Sequence, residues 1–268
     1  MRKIHLLFLI FIVTLGCTIN PLTGKRNMAF IPNSQLFPMA FSQHSDFLKE
    51  STIVRGTRDA EMIQRVGNRI ADAAQRLLAA EGQPNYFRDY KWEFTLVKDD
   101  AINAWAMPGG KIVFYTGILP ITKNEAGIAV VMGHEVAHAI LNHGQQRMSA
   151  GILQQLGAMG VTVATANQSP EAQNLIMSAF GVSTTLGGTL PFSRQHEHEA
   201  DRYGLILMAI AGYNPSEGAV FWERMSNAGG GSVPEFLSTH PSNANRIRNL
   251  RNIVPEAKRR AADFGVTF

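Results

Sequence analysis

The spacing of apolar and polar residues predicts a mostly helical protein with one small β-sheet. Apolar side chains recur every three to four positions over Arg58–Ala80, which is the period of a helix that buries one face. Trp92–Val97 alternates apolar and polar residues as a half-buried strand does, and Lys111–Tyr115 predicts a second strand. Pro108–Gly110 lies between the two strands and predicts a turn. The expected fold class is therefore α+β, mainly α-helical.

Further helices are predicted in the second half of the chain. Asn124–Met148 is helical in pattern and mostly apolar, whereas Ala150–Phe180 is weakly amphipathic and interrupted around Asn167–Pro170. The interrupted segment could form two helices or a mobile flap. Three more helices follow, over Phe192–Ala211 with Gly212 after it, over Pro215–Asn227, and over Pro241–Ile253 after a flexible loop at Gly229–Gly231.

Length and composition indicate one globular domain preceded by an export signal. The chain has 268 residues, of which 45% are hydrophobic and 17% charged, enough to build a full-sized core. At its start, Arg2 and Lys3 form a basic region and Leu6–Val13 an apolar region, which is too short for a membrane span of about 20 residues. We therefore predict a signal peptide over residues 1–16, a tether over 17–33 and a single domain over 34–268.

Cys17 is the only cysteine in the chain, so an intramolecular disulfide is excluded. Its position directly after the apolar region is similar to the lipobox of bacterial lipoproteins, although Thr14 stands where that motif usually has leucine. Lipidation of Cys17 would anchor the domain at the periplasmic face of a membrane; cleavage elsewhere or a retained signal anchor are the alternatives. Thr18 is not the aspartate associated with inner-membrane retention, so we expect the outer membrane rather than the inner one.

The net charge of the chain does not indicate nucleic-acid binding. The formal charge is +4 and the isoelectric point about 9.3, but Arg2 and Lys3 belong to the predicted signal. The remaining basic residues are scattered, apart from a cluster at Lys258–Arg260, and no basic stripe with interleaved aromatic residues is present. We therefore expect no nucleic-acid partner.

The decapeptide VMGHEVAHAI at 131–140 carries the strongest chemical signal in the sequence. His134 and His138 are four residues apart, so both imidazoles lie on one helix face and can reach a single metal ion. Glu135 follows the first histidine, where its carboxylate can take the proton of a water that the metal polarises. The alternative is a chance HExxH pattern on a solvated helix face, and the apolar residues on both sides of it argue against that alternative.

A catalytic zinc needs a third protein ligand and one open coordination position. His143 is close by but does not fit the spacing of a third histidine ligand, so we interpret it as a helix-end histidine favoured by the helix dipole. The segment with Glu197 and Asp201 is a better source of the third ligand, because these residues are four apart and share one predicted helix face. Glu197 can ligate the metal while Asp201 accepts a hydrogen bond from the far nitrogen of His134. Two acidic residues on a solvated helix are the alternative.

His196 and His198 flank Glu197 and are the remaining candidate ligands. Successive residues of a helix point about 100° apart, so neither histidine shares the face of Glu197. We expect both to be surface residues or to support the ligands indirectly.

Four segments together resemble the zinc metallopeptidase family of HtpX, BepA, LoiP, YcaL and the CAAX prenyl proteases. They are NAWAMPGGKIVFYTGIL at 103–119, GHEVAHAILNH at 133–143, SRQHEHEADRYG at 193–204 and STHPSNANRI at 238–247. The resemblance implies a zincin-like (gluzincin) domain with a small β-sheet beside the HExxH helix. It is greatest for the short lipoprotein members, because the chain shows neither the long membrane spans of HtpX and the CAAX proteases nor the tetratricopeptide repeats of BepA.

The resemblance also implies roles for single residues. It makes His134, His138 and Glu197 the ligands of one zinc ion, with Glu135 as the general base and Asp201 beside a ligand histidine. In this family the histidine of the HP motif faces the metal, where it can stabilise the oxyanion or bind the zinc and hold the site inactive.

His240 stands at that HP position, and an ordinary helix N-terminus is the alternative for the same residues. Arg246 is expected either to orient the site or to be a surface arginine. Asn103 and Ala104 fall in the segment with which the family pairs its extended substrate, a role that suits an unpaired strand edge. An ordinary strand end is the alternative for these two residues.

The expected function is that of a zinc-dependent endopeptidase of the bacterial cell envelope, which hydrolyses misfolded or misassembled envelope proteins. A chaperone or assembly factor that contacts the envelope assembly machinery is the alternative, with its zinc site latched shut by His240 or by residues 150–190. The apolar, charge-poor character of residues 150–190 favours this alternative. A purely structural zinc site is less favoured, because two histidines and a glutamate leave one position open.

Overall fold

Helices make up most of the fold, and the predicted α+β, mainly helical class is confirmed. The computed structural model describes residues 17–185, 190–228, 233–241 and 244–268. The predicted signal peptide and the loop at Gly229–Gly231 lie outside the described residues. The helices are α1 (Asn33–Glu50), α2 (Arg58–Ala80), α3 (Leu119–Thr122), α4 (Glu125–Ile140), α5 (His143–Ala164), α6 (Pro170–Thr184), α7 (Leu190–Ile210), α8 (Glu217–Ser226), α9 (Glu235–Thr239) and α10 (Ala244–Ala262). The strands are β1 (Cys17–Ile19), β2 (Arg26–Met28), β3 (Glu93–Val97), β4 (Ala104–Met107) and β5 (Lys111–Tyr115).

The chain divides into two compact units. Among the described residues, the larger unit takes in those of 33–142 and 198–268, and the smaller unit those of 17–32 and 143–197. The boundary falls inside α7, so Glu197 and Asp201 belong to one continuous helix although they are assigned to different units. None of the helices in the described ranges is long and apolar enough to cross a membrane.

The larger unit contains a three-stranded sheet with the order β3-β5-β4. β3 pairs with β5 in parallel, and β4 pairs with β5 in antiparallel, after the predicted turn at Pro108–Gly110. Gly109 and Gly110 have φ values of 81° and 93°, a conformation that glycine adopts without steric cost. The prediction of a half-buried strand is wrong for β3, because Phe94–Val97 is buried throughout where α2 packs against it.

The amphipathic helix predicted over Arg58–Ala80 is confirmed, with the same first and last residues. Thr57 caps it, since its side-chain oxygen accepts a hydrogen bond from the N–H of Ala60 at 3.2 Å. Its apolar face packs against α4 and β3, and Ile63, Val66 and Ile70 are fully buried there. α2 therefore provides one wall of the core that holds α4 in place.

The single helix predicted over Asn124–Met148 is wrong, because α4 ends at Ile140. Asn142 adopts a left-handed conformation with φ of 56°, which stops the helix, and α5 begins at the next residue. The hydroxyl of Tyr86 donates to the carbonyl oxygen of Ile140 at 2.6 Å, and that of Tyr90 donates to the carbonyl oxygen of Ala139 at 3.1 Å. Burial raises the pKa of both tyrosines, so they remain protonated donors that satisfy the last carbonyls of α4.

The smaller unit combines a two-stranded hairpin with paired helices. Part of the predicted tether forms the antiparallel β1–β2 hairpin, which packs on α5. The N–H of Phe30 donates to Ser149 Oγ at 3.1 Å, and Gln145 Nε2 donates to the carbonyl oxygen of Ile31 at 2.7 Å. The interruption predicted around Asn167–Pro170 separates α5 from α6, so the segment forms two helices.

The later helices follow the predicted order with shifted ends. α7 ends at Ile210, shortly before Gly212, whose φ is 86°. The predicted end of the last helix at Ile253 is wrong, because α10 continues through Pro255 to Ala262. Proline removes one backbone hydrogen bond, but the buried Ala257 and Ala261 continue the packed face of the helix beyond it.

Candidate metal centre

α4 carries His134, Glu135 and His138 in the interior of the larger unit. Every residue of this helix from Gly127 to Ile140 is buried, so the HExxH residues do not lie on a solvated face. The Nε2 atoms of His134 and His138 are 3.1 Å apart, which follows from their spacing of about one helical turn. Two buried imidazole nitrogens aimed at the same point require a shared partner.

His240 brings a third imidazole to the same place from the end of α9. Its Nδ1 is 3.1 Å from Nε2 of His134, and its Nε2 is 3.4 Å from Oε1 of Glu135. Its backbone N–H donates to the carbonyl oxygen of Phe236 at 2.8 Å, and the ring centroids of these two residues are 4.6 Å apart. His240 therefore contacts both a candidate ligand and the candidate general base. It follows the last residue of α9, so the alternative of an ordinary helix N-terminus is wrong.

Four side chains offer a buried set of metal ligands. One donor atom each of His134, His138, Glu197 and His240 lies within 4.8 Å of all the others. At zinc–nitrogen bonds of about 2.0–2.1 Å, tetrahedral ligand atoms are about 3.3 Å apart, close to the 3.1 Å between the imidazole nitrogens. Imidazole and carboxylate ligands in a buried site suit zinc, so the residues present fit the expected ion.

Asp201 lies beside His134 on the side away from this donor set. Its Oδ1 is 3.1 Å from Nδ1 of His134, the contact predicted from the spacing of Glu197 and Asp201. Burial opposes ionisation of Asp201, but the charge of Arg246 and the hydrogen bond from His134 outweigh it, so the pKa of Asp201 is lowered. An ionised Asp201 accepts the Nδ1 proton of His134 and leaves Nε2 as the free ligand atom.

Arg246 fixes Asp201 from α10. Its Nε donates to Oδ2 of Asp201 at 2.8 Å and its Nη2 to Oδ1 at 2.7 Å, a two-point pairing of buried groups. Its Nη1 donates to the carbonyl oxygens of His240 at 3.2 Å and Pro241 at 3.1 Å. The guanidinium also lies 3.5 Å from the centre of the Trp222 ring. Arg246 is thus buried and in contact with the site, not a surface arginine.

The helices that carry His134 and Asp201 approach closely at two glycines. A Cβ added to Gly133 would lie 2.6 Å from the carbonyl oxygen of Gly204, and one added to Gly204 would lie 2.8 Å from the N–H nitrogen of His134. Side chains at these positions would force α4 and α7 apart. The two glycines therefore set the distance over which Asp201 reaches His134.

Asn103 and Ala104 lie at the start of β4, an edge strand of the three-stranded sheet. The side-chain Nδ2 of Asn103 donates to Oε1 of Glu235 at 2.9 Å, and the N–H of Phe236 donates to the carbonyl oxygen of Ile102 at 3.0 Å. These bonds connect the strand to α9, which ends at His240. The N–H of Ala104 donates to Oδ1 of Asn103 at 2.9 Å. Substrate pairing by Asn103 and Ala104 stays a prediction.

The other histidines near the motifs are not in the donor set. His143 is the first residue of α5, so the interpretation as a histidine at the C-terminal end of a helix is wrong. It is fully buried and stacks on His196, with ring centroids 4.0 Å apart. His196 Nε2 is 3.1 Å from Oε1 of Gln146, so His196 is a core residue rather than a surface one, whereas His198 is exposed.

Three residues of the site have no sequence signal of their own. Trp222 stacks under Arg246, Phe236 packs against His240, and Glu235 holds Asn103. Their roles depend on contacts between distant segments, which a motif cannot reveal. Cys17 is partly exposed at the start of β1, and its lipidation stays a prediction.

Much of the chain is similar to known proteins. Residues 58–254 match the model of Peptidase family M48. Mitochondrial metalloendopeptidase OMA1 of Schizosaccharomyces pombe is 36% identical over 198 residues, 72% of this chain and 55% of that protein. Metalloendopeptidase OMA1 of Homo sapiens is 26% identical over 261 residues, which cover 94% of this chain and 48% of that protein. Beta-barrel assembly-enhancing protease of Escherichia coli is 32% identical over 169 residues, 60% of this chain and 34% of that protein. The chain spans about half the length of the OMA1 relatives and a third of the bacterial one.

Proposed function

Because this chain belongs to Peptidase family M48, we propose that it is a zinc-dependent metalloendopeptidase. The observation that carries the proposal is the buried group of His134, His138, Glu197 and His240, with the carboxylate of Glu135 beside it. His134, His138 and Glu197 would hold the ion, as expected for a catalytic site with one coordination position left for substrate and water. Relatives named metalloendopeptidases support the same activity.

The chain's own residues supply binding, orientation and proton transfer. A zinc ion at this site would act as a Lewis acid that polarises the scissile carbonyl and acidifies water. Glu135 would accept a proton from the attacking water and pass it to the amine that leaves. His240 would donate a hydrogen bond from its imidazole to the oxyanion, and Asp201 would keep His134 in the tautomer that presents Nε2.

We further propose that the substrates are misfolded or misassembled proteins of the bacterial envelope. The export signal predicted over residues 1–16 and the lipidation predicted at Cys17 support an envelope location. The name of the relative from Escherichia coli, Beta-barrel assembly-enhancing protease, is consistent with this role. The edge strand β4 offers backbone groups beside the site, and backbone pairing suits extended substrates of varied sequence.

Replacement of Glu135 by glutamine tests the peptidase proposal. The variant should bind one zinc ion as the wild type does, because Glu135 is not among the proposed ligands. Its cleavage of casein should fall by about two to four orders of magnitude, since proton transfer by a positioned side chain contributes that much. Glu199→Gln, on another face of α7, is the matched control and should keep full activity.

Casein cleavage by a homogeneous Glu135→Gln preparation at the wild-type rate would refute the assignment. The same variant also serves as a substrate trap in the envelope fraction. Proteins that accumulate on it, and not on the wild type, would name the physiological substrates. Capture of proteins from outside the envelope alone would contradict the proposed location.

A second candidate function is that of an assembly factor whose peptidase site is latched. It is favoured by the position of His240, whose Nδ1 is as close to His134 Nε2 as the second HExxH histidine is. As a fourth ligand, His240 would occupy the coordination position that substrate needs. Replacement of His240 by alanine should then raise casein cleavage, whereas loss of an oxyanion donor should lower it about a hundredfold or more.

A further inference from the structure

The α5–α6 hairpin of the smaller unit has an unusual division of its surfaces. The two helices run antiparallel, since Gln154 Nε2 donates to Thr184 Oγ1 at 3.3 Å and Gly157 faces the ring of Phe180. No residue of α6 is buried. The contact between the helices therefore includes a polar pair and the packing of Phe180 on Gly157, and several large aliphatic side chains remain exposed outside it.

Most exposed aliphatic side chains lie on the outer sides of both helices. Steps of about 100° per residue place Leu156, Met159 and Val163 opposite Gln154 and Gly157, and Leu175 and Val182 opposite Phe180 and Thr184. Leu153 and Ile176 lie beside the helix–helix contact, on the same surface of the hairpin. The exposed aliphatic side chains are Leu153 (39% exposed), Leu156 (58%), Met159 (65%) and Val163 (77%) on α5, and Leu175 (72%), Ile176 (40%) and Val182 (57%) on α6. A hairpin with this much exposed aliphatic surface needs an apolar environment to cover it.

Exposed polar residues form a third side on each helix. They are Gln155 and Thr162 on α5, and Asn174 and Ser178 on α6. Because the helices are antiparallel, the same rotation from the helix–helix contact brings these residues to one surface of the hairpin and the aliphatic residues to the opposite one. The hairpin is thus a ribbon with one polar surface, one apolar surface and edges that are apolar apart from Glu171 in the first turn of α6.

The scarcity of charged residues in the hairpin indicates that a lipid bilayer is the apolar environment that covers it. From Met148 to Ser193 the sequence holds one charged residue, Glu171, in a chain that is 17% charged. Protein interfaces carry a polar and charged rim, whereas charges are costly in the acyl region of a bilayer. A ribbon that lies flat and sinks about 5–10 Å into a leaflet would cover its apolar surface and both edges at once.

The candidate lipid anchor belongs to the same compact unit as the hairpin. Cys17 starts the β1–β2 hairpin, which packs on α5 and is followed by the bonds from Phe30 to Ser149 and from Gln145 to Ile31. Ile19, two residues after the anchor, is 64% exposed. One acyl anchor alone binds membranes marginally, so a second apolar contact on the same unit would be needed for stable attachment.

We propose that the α5–α6 hairpin is a membrane-docking element that lies in the leaflet to which Cys17 is anchored. The proposal rests on the envelope location and lipidation proposed above. It assigns the outer aliphatic residues to contact with acyl chains and the Gln155 side to contact with water. Because the hairpin carries no basic residue between Met148 and Ser193, its contact should not depend on anionic lipids.

Fluorescence depth measurements on the intact, zinc-loaded protein in vesicles test this geometry. Leu156→Cys and Val163→Cys would be labelled with an environment-sensitive dye, and Gln155→Cys, one residue from Leu156, is the matched control. Lipidated Cys17 has no free thiol, so each variant carries one reactive cysteine. Lipids brominated in the acyl chains should quench the dye at positions 156 and 163 but not at 155, in vesicles with or without phosphatidylglycerol.

Three other outcomes overturn the docking proposal, and a fourth separates it from the proposed lipidation. Equal quenching at all three positions would mean that the hairpin does not lie flat, and no quenching would mean that it does not dock. If the dye becomes buried in the absence of vesicles, and more so at higher protein concentration, the partner of the apolar surface is a second copy of the chain. Dye incorporation into the wild type would show that Cys17 is unmodified; quenching at 156 and 163 would then uphold docking while the anchor fails.

Introduced charge provides an independent check that the contact is apolar. Glutamate at both Leu156 and Val163 should abolish quenching of a dye at Leu175→Cys, because carboxylates resist transfer to the acyl region. Gln155→Glu should leave that quenching unchanged. Thermal unfolding of the two charge variants, with Leu175→Cys as reference, establishes that the fold is intact without reference to peptidase activity. Unchanged quenching in a folded Leu156→Glu/Val163→Glu protein would refute docking through this surface.

Discussion

Arg246 and Asp201 form a buried two-point pair, with Nε to Oδ2 at 2.8 Å and Nη2 to Oδ1 at 2.7 Å. The same carboxylate oxygen that accepts from Nη2 lies 3.1 Å from Nδ1 of His134. The remaining nitrogen of the guanidinium donates to the carbonyl oxygens of His240 and Pro241. One arginine therefore positions a candidate ligand through Asp201 and fixes the backbone of His240 directly.

Replacement of Arg246 by lysine should weaken zinc binding about 10–100-fold, because groups that orient a ligand histidine typically contribute that much to metal affinity. Lysine retains the charge but cannot pair with both carboxylate oxygens or stack flat on Trp222. The affinity is measured by titration against a competing chelator. Casein cleavage should fall even at saturating zinc, because His240 loses its backbone support.

Arg251→Lys is the control for the prediction on Arg246. Arg251 lies on the same helix but pairs with Glu223 at the surface, where both side chains are more than a third exposed. Its replacement should change neither zinc affinity nor cleavage. If Arg246→Lys lowers only the unfolding temperature of the chelated protein and leaves zinc affinity unchanged, Arg246 acts in packing alone.

The local part of the site was predictable from sequence, and the tertiary part was not. The shared helix face of His134 and His138, and that of Glu197 and Asp201, follow from helical spacing of four residues. The pairing of Arg246 with Asp201 and the hydrogen bond from Asn103 to Glu235 each join segments more than 40 residues apart. No periodicity encodes such contacts, so the family resemblance alone placed His240 at the metal.

Replacement of Gly133 by alanine should destabilise the protein by about 1–3 kcal/mol, because the added methyl group overpacks the crossing of α4 and α7. The methyl carbon would lie 2.6 Å from the carbonyl oxygen of Gly204, and backbone cannot turn aside as a side chain can. Urea unfolding of the chelated protein measures the loss. Zinc affinity should fall as well, since Asp201 moves away from His134.

Gly160→Ala is the matched control for the Gly133→Ala prediction. Gly160 lies in α5, and a Cβ added there would meet nothing within 4 Å. Alanine should be neutral or stabilise the helix by about 1 kcal/mol, as its helix propensity is higher. Equal effects of the two substitutions would show that the α4–α7 crossing is not tightly packed.

The fold shows the same division between local and distant determinants. The ends of α2 were predictable because one-face periodicity and the Thr57 cap lie within the helix and its flank. The end of α4 was not, because Tyr86 and Tyr90, about 50 residues earlier in the chain, bind its last carbonyls. An apolar pattern that continues past Ile140 conceals a stop of this kind.

Glu125 gives a prediction for the pH dependence of stability. Hydrogen bonds from Arg65 are the main cause that lowers the pKa of Glu125 below its ordinary value of 4.5. A carboxylate with a lowered pKa stabilises the folded state fully above the unfolded value, and this contribution is lost as the pH falls through the folded value. The pair links the first turn of α4 to α2, with Glu125 33% and Arg65 51% exposed. Solvent screening at such exposure limits its contribution to about 0.5 kcal/mol.

Glu125→Gln should therefore lower the free energy of unfolding by about 0.5 kcal/mol near pH 7, and the difference from the wild type should disappear as the pH falls through the lowered pKa of Glu125. Urea unfolding in the presence of chelator measures both values without interference from protonation of the zinc ligands. Asp59→Asn removes an acidic residue from the first turn of α2 and controls for the loss of a charge at a helix N-terminus. If the two substitutions have the same effect at neutral pH, the helix dipole accounts for it and the pair with Arg65 contributes nothing. A difference that persists unchanged at acidic pH would mean that Glu125 acts through packing, because a protonated carboxyl no longer forms an ion pair.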